Sequence, residues 1–351
     1  ASSMPVLPSR VGATLRSMPI ATLPLILAAG MSQFGIVNGS PEPDMEPVVA
    51  LGARLGNFAF SACTATLITP EVLLTAAHCG DDYPLETVIA LGAAFFGPSV
   101  DEAYLEVGLS NLVVHPDYEE LVNTPTGPSY GSHDISVITL DEAVTTVAPA
   151  LLRRQELVSS DEGTELLSVG FGITGIGADD GGIKRSAPVL VDQLWQGFIL
   201  SRNADNPNEA NICSGDSGGP MLEVTDGRLI EWAVHSWGDQ NCAQRSGSTR
   251  TDMLYEWIMD QVEGVHGSRD LCEINGFYDD GWCDLDCPEE DVDCLPPEES
   301  DDDDSAAEAG DDDDSTDLGE PSGDGCSDCG SGGSLALVGL VLAPWRRRRR
   351  G

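Results

Sequence analysis

Residues 36–267 predict an all-β domain that ends in one helix, and three features of the chain carry that prediction. Short apolar or alternating runs recur along this stretch, separated by Gly, Pro, Asp and Asn turns. Strand patterns never alternate with long helical ones, which argues against a doubly wound parallel sheet. Only near the end does the apolar spacing change to three and four residues.

In chain order the expected strands are Val48–Leu51, Ala65–Ile68, Val88–Leu91, Leu109–Val114, Ile135–Leu140, Leu166–Phe171, Val189–Val191, Met221–Val224 and Ile230–Val234. Each is short and rich in β-branched or aliphatic side chains, as a half-buried strand requires. Thr251–Val262 reads differently. Met253, Leu254, Trp257, Ile258 and Val262 fall on one face of a helix, so this segment is expected to dock by an apolar stripe.

The 351 residues are 41% hydrophobic, enough for one substantial core with extensions. The net charge of −42 is unevenly spread: Asp270–Asp328 holds 25 acidic residues and no Lys or Arg, and residues 1–269 carry 34 acids against 12 bases. No nucleic acid is expected as a partner, because no basic face can release its counterions. Residues 1–35 contain Arg10, Arg16, the apolar run Ile20–Ala29 and no acid. That profile predicts a signal peptide over residues 1–30, with 31–35 a short propeptide, and the run is too short to span a bilayer. The alternative reading of the run is a buried strand.

Residues 270–296 form a small acidic segment holding Cys272, Cys283, Cys287 and Cys294, which allow three pairings. Ten cysteines in the chain favour an oxidising compartment and disulfides over a zinc site. The carboxylates around these four read either as a solvated surface or as a hard-cation site of the kind that takes Ca2+. Residues 297–325 include Asp301–Asp304 and Asp311–Asp314, cannot bury apolar surface, and predict a disordered acidic linker. Residues 326–351 combine Cys326 and Cys329, the apolar run Leu335–Trp345 and Arg346–Arg350. That order resembles the tripartite C-terminal sorting signals of Gram-negative bacteria, notably the myxobacterial type. The resemblance implies a sorting machinery as partner and attachment to the outer surface.

The candidate chemistry centres on Cys213-Ser-Gly-Asp-Ser-Gly-Gly-Pro220. Glycines on both sides leave the Ser217 hydroxyl open and let backbone N–H groups converge near it. Taken alone the stretch is also a good turn. It becomes a nucleophile only with a base and an orienting carboxylate. Of the five histidines, His78 ends the run Leu74-Thr-Ala-Ala-His-Cys79, where small alanines leave room for an imidazole to turn. Asp134 opens the run Asp134–Leu140, which would bury its carboxylate, and a histidine N–H is the natural partner there. His115 reads as part of a structural turn, and His133 precedes Asp134 with no assigned role.

Ile36-Val-Asn-Gly39, Leu74–Cys79, Asp134-Ile-Ser136, Gly215–Pro220 and Ser236-Trp-Gly238 stand in the order and rough spacing of the trypsin/chymotrypsin family of serine peptidases, which the chain resembles from Ile36 to about Val262. The resemblance implies two packed six-stranded antiparallel β-barrels, about 36–150 and 151–250, with a terminal helix at 251–262. It implies Ser217 as nucleophile, His78 as general base and Asp134 as the carboxylate that orients it. The N–H groups of Gly215 and Ser217 would form the oxyanion hole. Ile36, once freed, would pair its ammonium with Asp216, although no Arg or Lys precedes it, so an activating protease of trypsin-like preference is not implied.

The same resemblance implies disulfides Cys63–Cys79 and Cys213–Cys242. Other disulfides common in animal members have no cysteines here, which points to a bacterial or otherwise minimal member. Asn211 would form the pocket base, Ser236, Trp237 and Gly238 the substrate-binding edge, and Gly247 a wall. The implied activity is endopeptidase cleavage of protein or peptide substrates after apolar, aromatic or neutral polar residues. Neither a metal nor an organic cofactor is required. The alternative reading is a catalytically silent surface binding protein of the same fold.

Overall fold

The computed structural model describes residues 36–295 except 82–84, 121, 125–126, 130–131, 203–208 and 226. The signal run, the acidic linker and the C-terminal tail lie outside the described residues. The strands come in chain order as β1 (Ser40–Pro41), β2 (Val48–Leu55), β3 (Phe58–Thr69), β4 (Val72–Thr75), β5 (Gly92–Phe96), β6 (Leu105–Val114), β7 (Val122–Thr124), β8 (Gly127–Ser129), β9 (Ser136–Leu140) and β10 (Leu151–Leu152). There follow β11 (Glu165–Gly170), β12 (Arg185–Leu190), β13 (Gln193–Trp195), β14 (Phe198–Arg202), β15 (Pro220–Thr225), β16 (Arg228–Gly238) and β17 (Arg245–Arg250).

Strands β2-β3-β4-β9-β6-β5 close into a six-stranded antiparallel barrel, filled by Val49, Leu67, Leu73, Ala94, Phe96 and Ile138. The second sheet differs from expectation. Among the described residues it has nine strands, in the order β1-β12-β11-β15-β16-β17-β14-β13, with β10 added in parallel to β16. The N-terminal segment takes the outer edge of β12, through Ser40↔Ser186 and Pro41↔Arg185, and β13 takes the other end. A seam of Val48, Ala50, Phe95, Val169, Phe171 and Leu222 packs the two sheets together.

Two local expectations change. Val88–Leu91 is not a strand but the end of a helix, α2 (Leu85–Leu91), which follows α1 (His78–Asp81). A four-residue apolar run cannot tell strand from helix by period. Here Val88 and Ile89 pack on the first barrel while Leu91 stays exposed, which is one-sided burial with helical spacing. The terminal helix also shifts. Residues 252–254 form a tight 3-10 turn, and α3 (Tyr255–His266) runs to a left-handed Gly267 cap. It buries Ile258, Met259 and Val262, and Met253 of the expected stripe lies exposed.

The cysteine-rich segment shares the core of the second sheet. Helix α4 (Leu271–Asn275) carries Leu271 and Cys272 into the cluster that holds Trp232, Ile258 and Val262, and Phe277 and Cys287 join them. The pairings are Cys272–Cys287 and Cys283–Cys294. Three further links tie the segment down. Asn275 Nδ2 donates to the Ile68 carbonyl of the first barrel at 2.9 Å. An Arg154 guanidinium N–H donates to the Cys287 carbonyl at 2.8 Å. The Arg228 guanidinium bridges Asp280 and Asp284 and lies 4.1 Å from the Phe277 ring centroid.

Replacing both Cys272 and Cys287 by Ser should therefore cost about 2–4 kcal/mol, read as a melting midpoint lower by roughly 5–12 °C. The matching change at Cys283 and Cys294, where Cys283 is exposed, should cost less. Unchanged calorimetric midpoints for the first pair would refute the shared core.

Candidate active site

His78 is the first residue of α1, directly after the buried Ala76 and Ala77, and Asp134 is buried just ahead of β9. Asp134 accepts the His78 backbone N–H at Oδ1, 3.0 Å, and its Oδ2 lies 2.8 Å from His78 Nδ1. The Ser236 hydroxyl, from β16 of the second sheet, donates to the same Oδ2 at 2.5 Å. Three donors thus meet one buried carboxylate, which is what keeps a buried charge tolerable. Ser136 Oγ donates to the Ala76 carbonyl at 2.9 Å and joins the two strand ends that carry His78 and Asp134.

Ser217 lies in the turn before β15. Its carbonyl accepts the Thr64 N–H at 2.8 Å and lies 3.6 Å from Cys79 Sγ, so the turn rests against the loop that holds His78. Gly215 has φ +95° and Gly218 φ +82°. A Cβ at Gly218 would fall 2.0 Å from Thr75 Oγ1, so only glycine brings this turn so close to the first barrel. Among the described residues neither the Gly215 nor the Ser217 N–H has an acceptor, whereas Asp216 N–H donates to Cys213 and Gly218 N–H to His235. Two neighbouring free donors suit an oxyanion.

Thr64 has no sequence signal, because a threonine within a strand is ordinary. Its hydroxyl donates to the Gly215 carbonyl at 2.9 Å and accepts the Phe171 N–H at 3.0 Å. That anchors the Gly215 peptide to the opposite sheet.

Asp216 is fully buried and accepts the N–H of Gly172 at 2.8 Å and of Cys213 at 2.9 Å. Burial pushes its carboxyl up to about 7, against those two hydrogen bonds and the Arg185 charge. Ile36 is also fully buried, and Val37 pairs with Asn211, two residues before Cys213.

A cavity of about 240 Å3 adjoins Ser217 and is lined by Ile176, Ile212, Ser236, Trp237, Gly238 and the disulfide-bonded Cys213 and Cys242, among others. The second implied disulfide, Cys63–Cys79, sits under His78. Asn211 is not in this cavity. Its Oδ1 accepts the Ile212 N–H at 3.0 Å, and it lines a separate hollow with Asn38 and Glu209. Gly247 does not line it either. Gly247 pairs with Trp237, and a Cβ there would meet the Trp237 ring at 2.4 Å, so it makes room for the indole. Ile212, the next residue, lines the cavity and belongs to no motif in the sequence.

Asp239 lines the same cavity, but its carboxylate accepts four backbone N–H groups, from Asn241, Ala243, Gln244 and Arg245. Burial opposes the charge, and these four bonds overcome it and hold the carboxyl below its ordinary range.

No three metal-ligating groups of the cysteine-rich segment converge among the described residues. Asp280 and Asp284 pair with Arg228, Asp291 accepts from the backbone N–H groups of Asp284 and Asp293, and Asp293 accepts from Gly281. The grouping that does converge, Cys63, His78 and Cys79, contains a disulfide and offers no thiolate.

Comparison with known proteins agrees with this geometry. Residues 36–258 match the family described as Trypsin, which is more than half of the chain. The chain is 29% identical over 240 residues to the CLIP domain-containing serine protease B10 of Anopheles gambiae, covering 60% of this chain and 64% of that protein. It is 28% identical to Lectizyme of Glossina austeni, over 70% of this chain and 93% of that one. A Trypsin of Saccharopolyspora erythraea is 28% identical over 57% of this chain and 86% of its own length. The chain spans less than two thirds of the Anopheles protein. A buried His–Asp pair beside a serine turn, on a sequence that matches across both sheets, shows that the chain belongs to the trypsin family of serine endopeptidases.

Proposed function

We propose that the chain hydrolyses peptide bonds through an acyl-enzyme, with Ser217 as nucleophile, His78 as base and Asp134 as orienting carboxylate. The observation that carries this is the buried Asp134, which meets His78 and Ser236 at the edge of the cavity lined by Ser217. His78 takes the Ser217 proton as Oγ attacks the carbonyl carbon, and returns it to the leaving amine. Asp134 keeps the Nδ1 proton of His78 in place and offsets the charge of the imidazolium that forms. The oxyanion falls to the N–H groups of Gly215 and Ser217, each worth about 3 kcal/mol at the transition state. Water, activated by the same imidazole, then releases the acyl group.

The pocket supports a neutral P1 residue, apolar or aromatic before polar. Its volume of about 240 Å3 suits a large side chain, and Ile176, Ile212 and Trp237 give its lining apolar surface. Asp239 spends its carboxylate on backbone donors and is a poor counter-ion for a substrate cation.

Activation is read as release of Ile36. Asp216, buried and hydrogen-bonded among the described residues only to the backbone N–H groups of Gly172 and Cys213, is the group that a new α-ammonium would satisfy. An activating protease is then a partner. Four disulfides support an oxidising, secreted setting, and the order of residues 326–351 supports surface delivery by sorting machinery. Residues 297–325 would serve as the linker.

A serine-directed fluorophosphonate should label the processed protein at Ser217, and Ser217→Ala should abolish labelling and lower kcat by roughly 10^4–10^6-fold. Labelling that survives Ser217→Ala would end the proposal. Against a peptide library, Phe, Tyr or Leu at P1 should exceed Arg and Lys in kcat/KM by at least about tenfold. A library dominated by Arg and Lys would overturn the pocket reading.

In the unprocessed chain the folded state keeps a proton on Asp216 that the unfolded state loses above about 4. The Asp216 contribution to stability is therefore full below about pH 4 and is lost as pH rises to about 7, by at most about 4 kcal/mol. Urea midpoints of unprocessed Ser217→Ala across this range should show the fall, and Asp216→Asn should remove it.

A further inference from the structure

His115 and His133 take no part in the proton transfers above, yet they hold the backbone from which Asp134 projects. His133 has φ +54°, in the left-handed region that is uncommon outside Gly and is entered most often by Asn, Asp and His among the other residues. Its imidazole stacks on that of His115, with centroids 4.7 Å apart and planes 17° apart. The other side of the contact is Trp257 of α3, whose ring lies 4.7 Å from His115 at 52°. Three rings thus run from the terminal helix to the residue next to Asp134.

The hydrogen bonds around them join the same two segments. His115 N–H donates to the Ile135 carbonyl at 3.1 Å, Ile135 N–H to the His133 carbonyl at 2.8 Å, and Glu119 N–H to the Ser132 carbonyl at 3.0 Å. His115 Nδ1 accepts the Asp117 N–H at 3.2 Å, which fixes its ring. Burial first, and then the neighbouring His133, hold the His115 imidazole below its ordinary pKa against the opposing Asp117. A neutral ring stacks without repelling its neighbour. His133 Nδ1 is buried and makes no hydrogen bond, so polar contact at that atom does not explain the ring's position. The stack does.

We propose that His133 is a positioning residue: the His115–His133–Trp257 stack holds the left-handed turn that aims Asp134 at His78 and Ser236. The terminal helix thereby acts on a cleft it does not line. Small displacements of an orienting group cost rate rather than binding, because the imidazole is then misaligned for proton transfer while the pocket is untouched.

The inference rests on the assignment of Ser217, His78 and Asp134. Its test uses processed protein in which active sites are counted by fluorophosphonate titration, with kcat per titrated site and KM measured separately. His133→Ala should lower kcat per site about tenfold with KM within twofold, and should move the downfield proton resonance of the His78–Asp134 pair. His133→Asn, which tolerates the left-handed backbone, should recover part of the loss. Trp257→Ala should lower kcat per site several-fold, and Trp257→Phe should restore it to within twofold. The proposal is overturned if His133→Ala or Trp257→Ala keeps wild-type kcat per titrated site, or if the loss lies wholly in site number or melting midpoint. Wild-type protein that fails to titrate would instead bring down the triad assignment, and this inference with it.

Discussion

A carboxylate buried at the seam of two sheets must be given donors, and Asp134 draws them from both. The N–H and imidazole of His78 come from the first barrel, and the Ser236 hydroxyl comes from β16 of the second sheet. Meeting this need fixes how the sheets lie against each other along the cleft. Thr64 repeats the device from the other direction, reaching from β3 to the Gly215 carbonyl and the Phe171 N–H. Cleft geometry and inter-sheet packing are therefore one constraint.

Asp216 shows what the same burial does without such partners. It has two backbone N–H groups and a distant guanidinium, and its carboxyl is pushed up to about 7. One buried carboxylate is thus fully served by donors, and the other is short of a charge. That difference is the physical basis for reading Asp216 as the receptor of a freed Ile36. It also explains why the catalytic turn sits so near the N-terminal segment, with Val37 paired to Asn211.

The segment after α3 extends the core. Cys272, Phe277 and Cys287 are buried with Trp232, Ile258 and Val262, and Asn275 reaches the first barrel. Its many acids do not gather around one point. Arg228 neutralises two of them, and backbone N–H groups take up others. Acidic composition here reflects local capping and nearby cations, among them the Arg228 side chain that stacks on Phe277.

The residues themselves determined the all-β character, most strand positions and the terminal helix, because period is a local property of the chain, and the short motifs around Ser217, His78 and Asp134 marked the family to which it belongs. Val88–Leu91 was misread because four apolar residues carry no period, and only packing against β6 selects a helix. Asn211 faces a hollow apart from the cavity beside Ser217, and Gly247 makes room for the Trp237 ring, because such relations are set by pairing partners and not by the local sequence. The nine-strand order of the second sheet, the pairing of the four distal cysteines, the link through Thr64 and the stack beside Asp134 were decided by tertiary structure alone. Each depends on which distant segments share a surface, and no local pattern records that.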